Sequence, residues 1–232
     1  MAYKYSIISC IGGRDLNEDS VSFARHKGAV VAIVADGLGG HGSGDIASSL
    51  AVKEINNYFK QKKTISLKDI PEALSTSNKT VNLLNGPKTT IAMLVINDNI
   101  AVSAHVGDSR IYQFRNGKII FQSIDHSVSQ LAVAAGEINA EEIRHHIDRN
   151  KLLRALGDSE KINVDIKELS MMKKDAFLLC SDGFWELILE EEMEHDLITY
   201  KDPKKWLKNM SGRVKNKITD KSDNYSAVVL IV

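Results

Sequence analysis

Apolar residues recur along the chain with two periods, and the switch between them marks out the elements. Residues 30–34 (Val-Val-Ala-Ile-Val) and 176–180 (Ala-Phe-Leu-Leu-Cys) are continuous apolar runs, as expected of strands buried on both faces, and a third such run spans 225–232. Weaker strand patterns over 3–10, 21–25, 89–96, 100–106, 110–115, 118–122 and 163–169 are separated by turn residues such as Lys27-Gly28, Asn97-Asp98, Gly107-Asp108 and Asn116-Gly117. The four strands between 89 and 122 read as one β-meander. Steps of three and four residues take over at Ile46, Ala47, Leu50, Ala51, Ile55 and Phe59, which predicts a helix with a basic end at 60–63. A second helix is expected from 67 to about 84, with Pro71 in its first turn and Asn85-Gly86-Pro87 as its stop. Two more cover 190–200 and 203–218, the latter with Trp206, Leu207, Met210, Val214 and Ile218 on one face.

The stretch 124–157 follows neither period for long. It carries Asp125-His126-Ser127, a short helical pattern near 131–135, and the basic run Arg144-His145-His146. It reads as an excursion that borders a site, with its histidines solvated. No repeat or linker divides the chain, so residues 1–232 are expected to form one domain.

Composition narrows the partners. Thirty basic residues balance thirty acidic ones, so net charge points to neither nucleic acid nor a membrane surface. Cys10 and Cys180 lie in apolar stretches without a CxxC pair, as buried thiols of a reducing compartment do. With no signal-peptide pattern at 1–10 and no apolar stretch of ~18 residues, a cytoplasmic protein is expected.

Candidate chemistry sits at strand ends. Asp36 is expected where its strand leaves the core, followed by a loop with Gly37, Gly39, Gly40, Gly42 and Gly44 that can expose backbone carbonyls. Asp182 follows a second apolar strand, and Asp223 precedes a third. Each could be an ordinary turn residue. Converging carboxylates would repel one another, and divalent ions would remove that penalty. With oxygen donors and no Cys or His at ligand spacing, the fitting ions are Mg²⁺ or Mn²⁺. A pair of them activates water for attack on phosphorus, and Arg14 could clamp the phosphoryl oxygens.

Taken in order, GGRDLNEDS, VADGLGGHGSGDIAS, TTIAMLVI, HVGDSRIY, DHS, LLRALG, FLLCSDGFWE and DNYSAVVLIV resemble the metal-dependent protein phosphatase family of the protein phosphatase 2C type, in its compact bacterial form. The resemblance implies an α+β fold: a central β-sandwich of two antiparallel sheets flanked by helices on both sides, in four layers, with the excursion at about 124–157 as a flap beside the cleft. It implies a serine/threonine protein phosphatase that hydrolyses phosphoserine and phosphothreonine with a water activated between two divalent ions, without a covalent intermediate. By resemblance Asp36 bridges two ions, Asp182 and Asp223 complete one site, and the Gly37 carbonyl serves the other. Glu18 and Asp19 hold ion-bound waters, Asp19 being counted with the metal group. Asp108 joins Asp182 at a weaker third site, Arg14 binds phosphate, and Asn224 supports the last ligand. Arg14, Asp36 and Asp182 carry the catalysis. Expected partners are phosphoproteins, among them a Ser/Thr kinase and its targets, acted on by a monomer.

Two departures stand out. Some members carry a histidine where this chain has Leu38, which leaves the proton donor to the leaving group open, with His41 a remote candidate. Pro87-Lys88 replaces a Met-Gly pair, with Lys88 expected to face solvent. Other readings are a catalytically silent relative that binds phosphorylated or regulatory partners, or a single structural Ca²⁺ site, which would give Arg14 no task.

Overall fold

The computed structural model describes residues 3–39 and 43–232. Gly40, His41 and Gly42, named above, lie outside the described residues. One sheet has the strand order β1 (Lys4–Cys10), β11 (Tyr225–Ile231), β10 (Ala176–Cys180), β7 (Arg110–Arg115), β8 (Lys118–Gln122). The other runs β2 (Asp19–His26), β3 (Ala29–Leu38), β5 (Ile91–Asn97), β6 (Ile100–Val106), β9 (Asp165–Ser170), with the short β4 (Lys88–Thr89) paired to the end of β3. All the strand pairings are antiparallel.

The continuous apolar runs have a direct cause, since their strands are covered on both faces. Val30, Ala32 and Val34 meet Phe177, Leu179, Val228 and Leu230 between the sheets. The alternate residues Val31, Ile33 and Ala35 pack outward against the helices α1 (Gly44–Gln61) and α2 (Asp69–Asn82). On the opposite side Leu178, Ala227 and Val229 pack against α5 (Glu190–Tyr200) and α6 (Pro203–Lys215). Three apolar layers between four layers of structure result. Each fully buried Val, Leu or Ile contributes about 1.5–3 kcal/mol, so both faces of these strands stabilise the sandwich. Among the described residues no helix is long and apolar enough to cross a membrane.

Three expectations need correction. The four strands after residue 88 are not one meander. β5 and β6 form a hairpin in one sheet and β7 and β8 a hairpin in the other. The chain changes sheets at Gly107, whose φ of 99° is left-handed and whose added Cβ would strike Thr90 Cγ2 at 2.6 Å. That crossover carries Asp108 to one end of the sandwich. Asp36 does not end its strand, because β3 continues to Leu38 and Asp36 pairs in register with Asp19 of β2. His126 is buried rather than solvated. It stacks on His105 with ring centroids 4.6 Å apart and accepts a hydrogen bond from the Gly107 N–H at Nδ1.

The 124–157 segment contains α3 (Val128–Ala134) and a 3-10 helix (Ala140–His145). It is tied down along 126–128, where Leu153 N–H donates to the His126 carbonyl at 2.8 Å and Val128 N–H to the Lys151 carbonyl at 2.9 Å. Asp125 grips Arg110 bidentately, and the Arg110 guanidinium lies 3.4 Å from the Trp185 ring centroid.

Candidate active site

Residues far apart in sequence meet at one end of the sandwich because strand ends and crossovers gather there. A cavity of about 470 Å³ opens between them, walled by Arg14, Glu18, Asp36, Gly37, Asp108, Asp182, Asp223 and Asn224. Of the residues expected from sequence, Asp19 alone does not border it.

Asp36 is held by its backbone. Its N–H donates to Thr90 Oγ1 at 2.9 Å, while Thr90 N–H and the Thr89 hydroxyl both donate to its carbonyl. Thr90 in turn shares a hydrogen bond of 2.7 Å with Ser109, beside Asp108. The Thr-Thr pair thus positions two site carboxylates at once, a role the sequence patterns did not reveal. Gly37 follows in close quarters, since a Cβ there would lie 2.1 Å from the Gly44 carbonyl oxygen and 2.7 Å from that of Glu18. Only glycine lets the chain pass.

Asp19 lies behind the cavity. Its Oδ2 accepts from the Ser181 hydroxyl at 2.8 Å, and its Oδ1 is buried with no hydrogen-bond partner among the described residues. Asp182 opens the short helix α4 (Asp182–Trp185), with Oδ1 accepting from Gly183 N–H at 2.6 Å. Asp108 presents its carbonyl to Trp185 Nε1–H at 3.0 Å.

Asn224 staples the Arg14 loop in place. Its amide NH₂ donates to the carbonyls of Ile11 and Leu16, at 2.7 and 2.9 Å, and its Oδ1 accepts from Glu18 N–H at 2.8 Å. The Glu18 carboxylate reaches the Gly44 N–H at the start of α1, at 2.9 Å. Arg14, half exposed, donates to Asp223 Oδ2 at 2.7 Å. Lys88 borders the cavity as well as solvent and pairs with Asp158, so it belongs to the cleft wall.

The electrostatics are those of crowded acids. Burial, followed by the charges of Asp182, Asp19, Asp108 and Asp223, pushes Asp36 well above the usual carboxylate range. Burial raises Asp19 to about 7, and burial with the charge of Asp223 raises Asp182 to about 6. Asp108 is raised by burial and then by Asp182 and Asp125. Such a set gains most from a multivalent cation.

The donors fit one in kind. They are oxygen atoms, as hard divalent ions require, and the orphaned Asp19 Oδ1 is an acceptor seeking a partner. Among the described residues no group of three or more His, Cys, Asp or Glu side chains is already gathered closely enough to hold an ion, and Asp223 is drawn to Arg14 instead.

Comparison with known proteins identifies the family and the fold. The family model for protein phosphatase 2C matches residues 9–222. The serine/threonine phosphatase stp of Listeria monocytogenes is 34% identical over 197 residues, covering 79% of this chain and 78% of that protein. The Mycobacterium tuberculosis serine/threonine phosphatase PstP/Ppp superposes with a TM-score of 0.89 at 25% identity, covering 100% of this chain and 99% of the other. A structure of the PstP catalytic domain in complex with two manganese ions is similar at a TM-score of 0.84 and 25% identity, covering 99% and 97% of the two chains.

Proposed function

The chain belongs to the protein phosphatase 2C family, and on that premise we propose that it is a metal-dependent serine/threonine protein phosphatase, hydrolysing phosphoserine and phosphothreonine side chains by direct attack of water. The observation that carries this reading is the convergence of Asp36, Asp108, Asp182 and Asp223, with Arg14, on one open cavity. Among the described residues the cavity wall offers no Ser, Thr, Cys or His, and its carboxylates are assigned to ions in this reading, which leaves water as the nucleophile.

Asp36, Asp182, Asp223 and the Gly37 carbonyl would hold two Mn²⁺ or Mg²⁺ ions. When bound, such ions neutralise the carboxylates, acidify water and offset charge at phosphorus. Glu18 and Asp19 would position waters, and Asp108 with Asp182 would hold a third, weaker ion. Arg14, exposed and planar, offers a fork of N–H donors that matches phosphoryl oxygens. Asn224 fixes the loop that carries Arg14. Leu38 has no proton to give, so that position supplies none to the leaving alkoxide, and water is the donor in this reading. Residues 124–157 act as a flap, substrates are phosphoproteins including a Ser/Thr kinase and its targets, and the enzyme works as a cytoplasmic monomer.

Assay of the purified chain with excess Mn²⁺ on p-nitrophenyl phosphate and on phosphothreonine peptides tests this. Turnover of both is expected, falling to background in Asp36→Ala and Asp182→Ala. Equal activity in wild type and these variants would rule the proposal out.

A further inference from the structure

Two smaller cavities, of about 230 and 250 Å³, adjoin the central one through different lining residues. The first shares Leu38, Lys88 and Leu152 with it and extends over Leu153 and Ala155. The second shares Arg14, Asp182 and Asp223 and extends over Arg149, Glu186 and Lys221. The three make a groove through the carboxylate site. Among the described residues one borders all three, Asn150.

Asn150 is exposed, yet its backbone neighbours are held. Arg149 donates to Glu186 at 2.9 Å, Lys151 N–H donates to the Asp148 carbonyl at 3.0 Å, and the Lys151 carbonyl accepts from Val128 N–H. Asn150 is thus mounted on a tethered stretch of chain where the three cavities adjoin. A primary amide presents an acceptor and two donors, the complement of a peptide unit's N–H and C=O. A side chain reading flanking residue identity would sit at one end of the groove. One at the centre meets the main chain next to the phosphorylated residue whatever the flanks are.

We infer that Asn150 is a substrate-positioning residue that hydrogen-bonds the main chain of an extended phosphopeptide lying across the three cavities. The inference rests on the phosphatase reading and adds to it how a protein substrate is held. It predicts a preference for peptides over small phosphate esters that is independent of flanking sequence.

The test compares wild type, Asn150→Ala and Asn150→Gln on p-nitrophenyl phosphate, on a phosphothreonine peptide, and on the same peptide N-methylated at the amides flanking the phosphothreonine. Loss of two hydrogen bonds corresponds to about a tenfold change. For Asn150→Ala the ratio of peptide to p-nitrophenyl phosphate kcat/KM should fall by about that factor, mainly through peptide KM, with part recovered in Asn150→Gln. N-methylation should cost the wild type a similar factor and Asn150→Ala little more. Mn²⁺ affinity, measured by calorimetry, should not change. An equal loss on both substrates, additive effects of N-methylation and Asn150→Ala, or weakened Mn²⁺ binding would overturn the inference while leaving the phosphatase reading intact. No turnover of any substrate by wild type would overturn both.

Discussion

The Arg14 guanidinium donates to Asp223 Oδ2 across 2.7 Å, joining residues near opposite ends of the chain. A proposed phosphate clamp and a proposed ion ligand therefore hold each other at the cavity rim, both partly in water. An exposed pair of this kind adds no more than about 1 kcal/mol to stability, so Arg14→Ala should barely move the melting temperature. Charge-assisted hydrogen bonds to phosphate contribute about 1.5–3 kcal/mol. Kinetics of Arg14→Ala on a phosphothreonine peptide should show kcat/KM down by about 10- to 100-fold, with Arg14→Lys recovering little because the fork is lost. Unchanged kcat/KM would remove Arg14 from phosphate binding.

The buried acids set a pH dependence. Asp19 is raised to about 7 and Asp182 to about 6, with Asp36 and Asp108 also raised. A carboxyl whose folded pKa exceeds its unfolded one binds more protons when folded, so stability is intact below the unfolded value and falls as pH climbs through the folded one. In chelator, the melting temperature should therefore drop between pH 5 and about 7.5. Excess Mn²⁺, which binds only the ionised folded site, should reverse much of that drop. Thermal scans across this range check it, and a chelated protein that gains stability as pH rises would contradict it.

In chelator, Asp182→Asn should melt higher than wild type near pH 7.5, since it removes a buried charge without changing shape, while hydrolysis is lost. Paired thermal scans and assays with Mn²⁺ test the opposition. A variant that melts lower and keeps activity would place Asp182 outside the repelling cluster.

Asn224→Ala removes the side-chain partner of the Leu16 carbonyl and the Glu18 N–H, and leaves the Ile11 carbonyl only the Arg14 N–H at 3.3 Å. Denaturant titration should show a loss of about 1–3 kcal/mol. Asn224→Asp keeps an acceptor for Glu18 and loses both donors, so its kcat/KM should fall with that of Asn224→Ala. Wild-type kinetics in both would mean that the Arg14 loop needs no staple.

Gly37→Ala would push a Cβ to 2.1 Å from the Gly44 carbonyl oxygen, backbone against backbone. Overpacking of this sort costs about 1–3 kcal/mol, and the displaced strand end would move Asp36. Lower stability with loss of Mn²⁺ binding is expected by calorimetry. Full Mn²⁺ affinity would show that the strand end absorbs the added Cβ without moving Asp36.

The apolar runs at 30–34, 176–180 and 225–231 announced buried strands because both faces of each are covered, and the helices over 190–200 and 203–215 kept their periods for the same reason. The split of the expected meander was not readable, since hairpin turns and sheet crossovers use the same Gly-Asp chemistry and only the contact of Gly107 with Thr90 separates them. Asp36, Asp182 and Asp223 were legible from their places beside apolar strands. The supports were not. Thr89, Thr90 and Ser181 act through hydrogen bonds to residues 50 or more positions away, and Asn150 earns its place from cavity geometry alone. His126 misled because a histidine next to charged residues reads as solvated until His105 and Gly107 close over it.

Anomalous scattering at the manganese edge, from crystals grown with Mn²⁺, tests the central assignment most directly. Peaks are expected beside the Asp36 carboxylate, within reach of Asp182, Asp223 and the Gly37 carbonyl, with Asp223 turned away from Arg14. Peaks confined to other surfaces, with Asp223 still bound to Arg14, would contradict it.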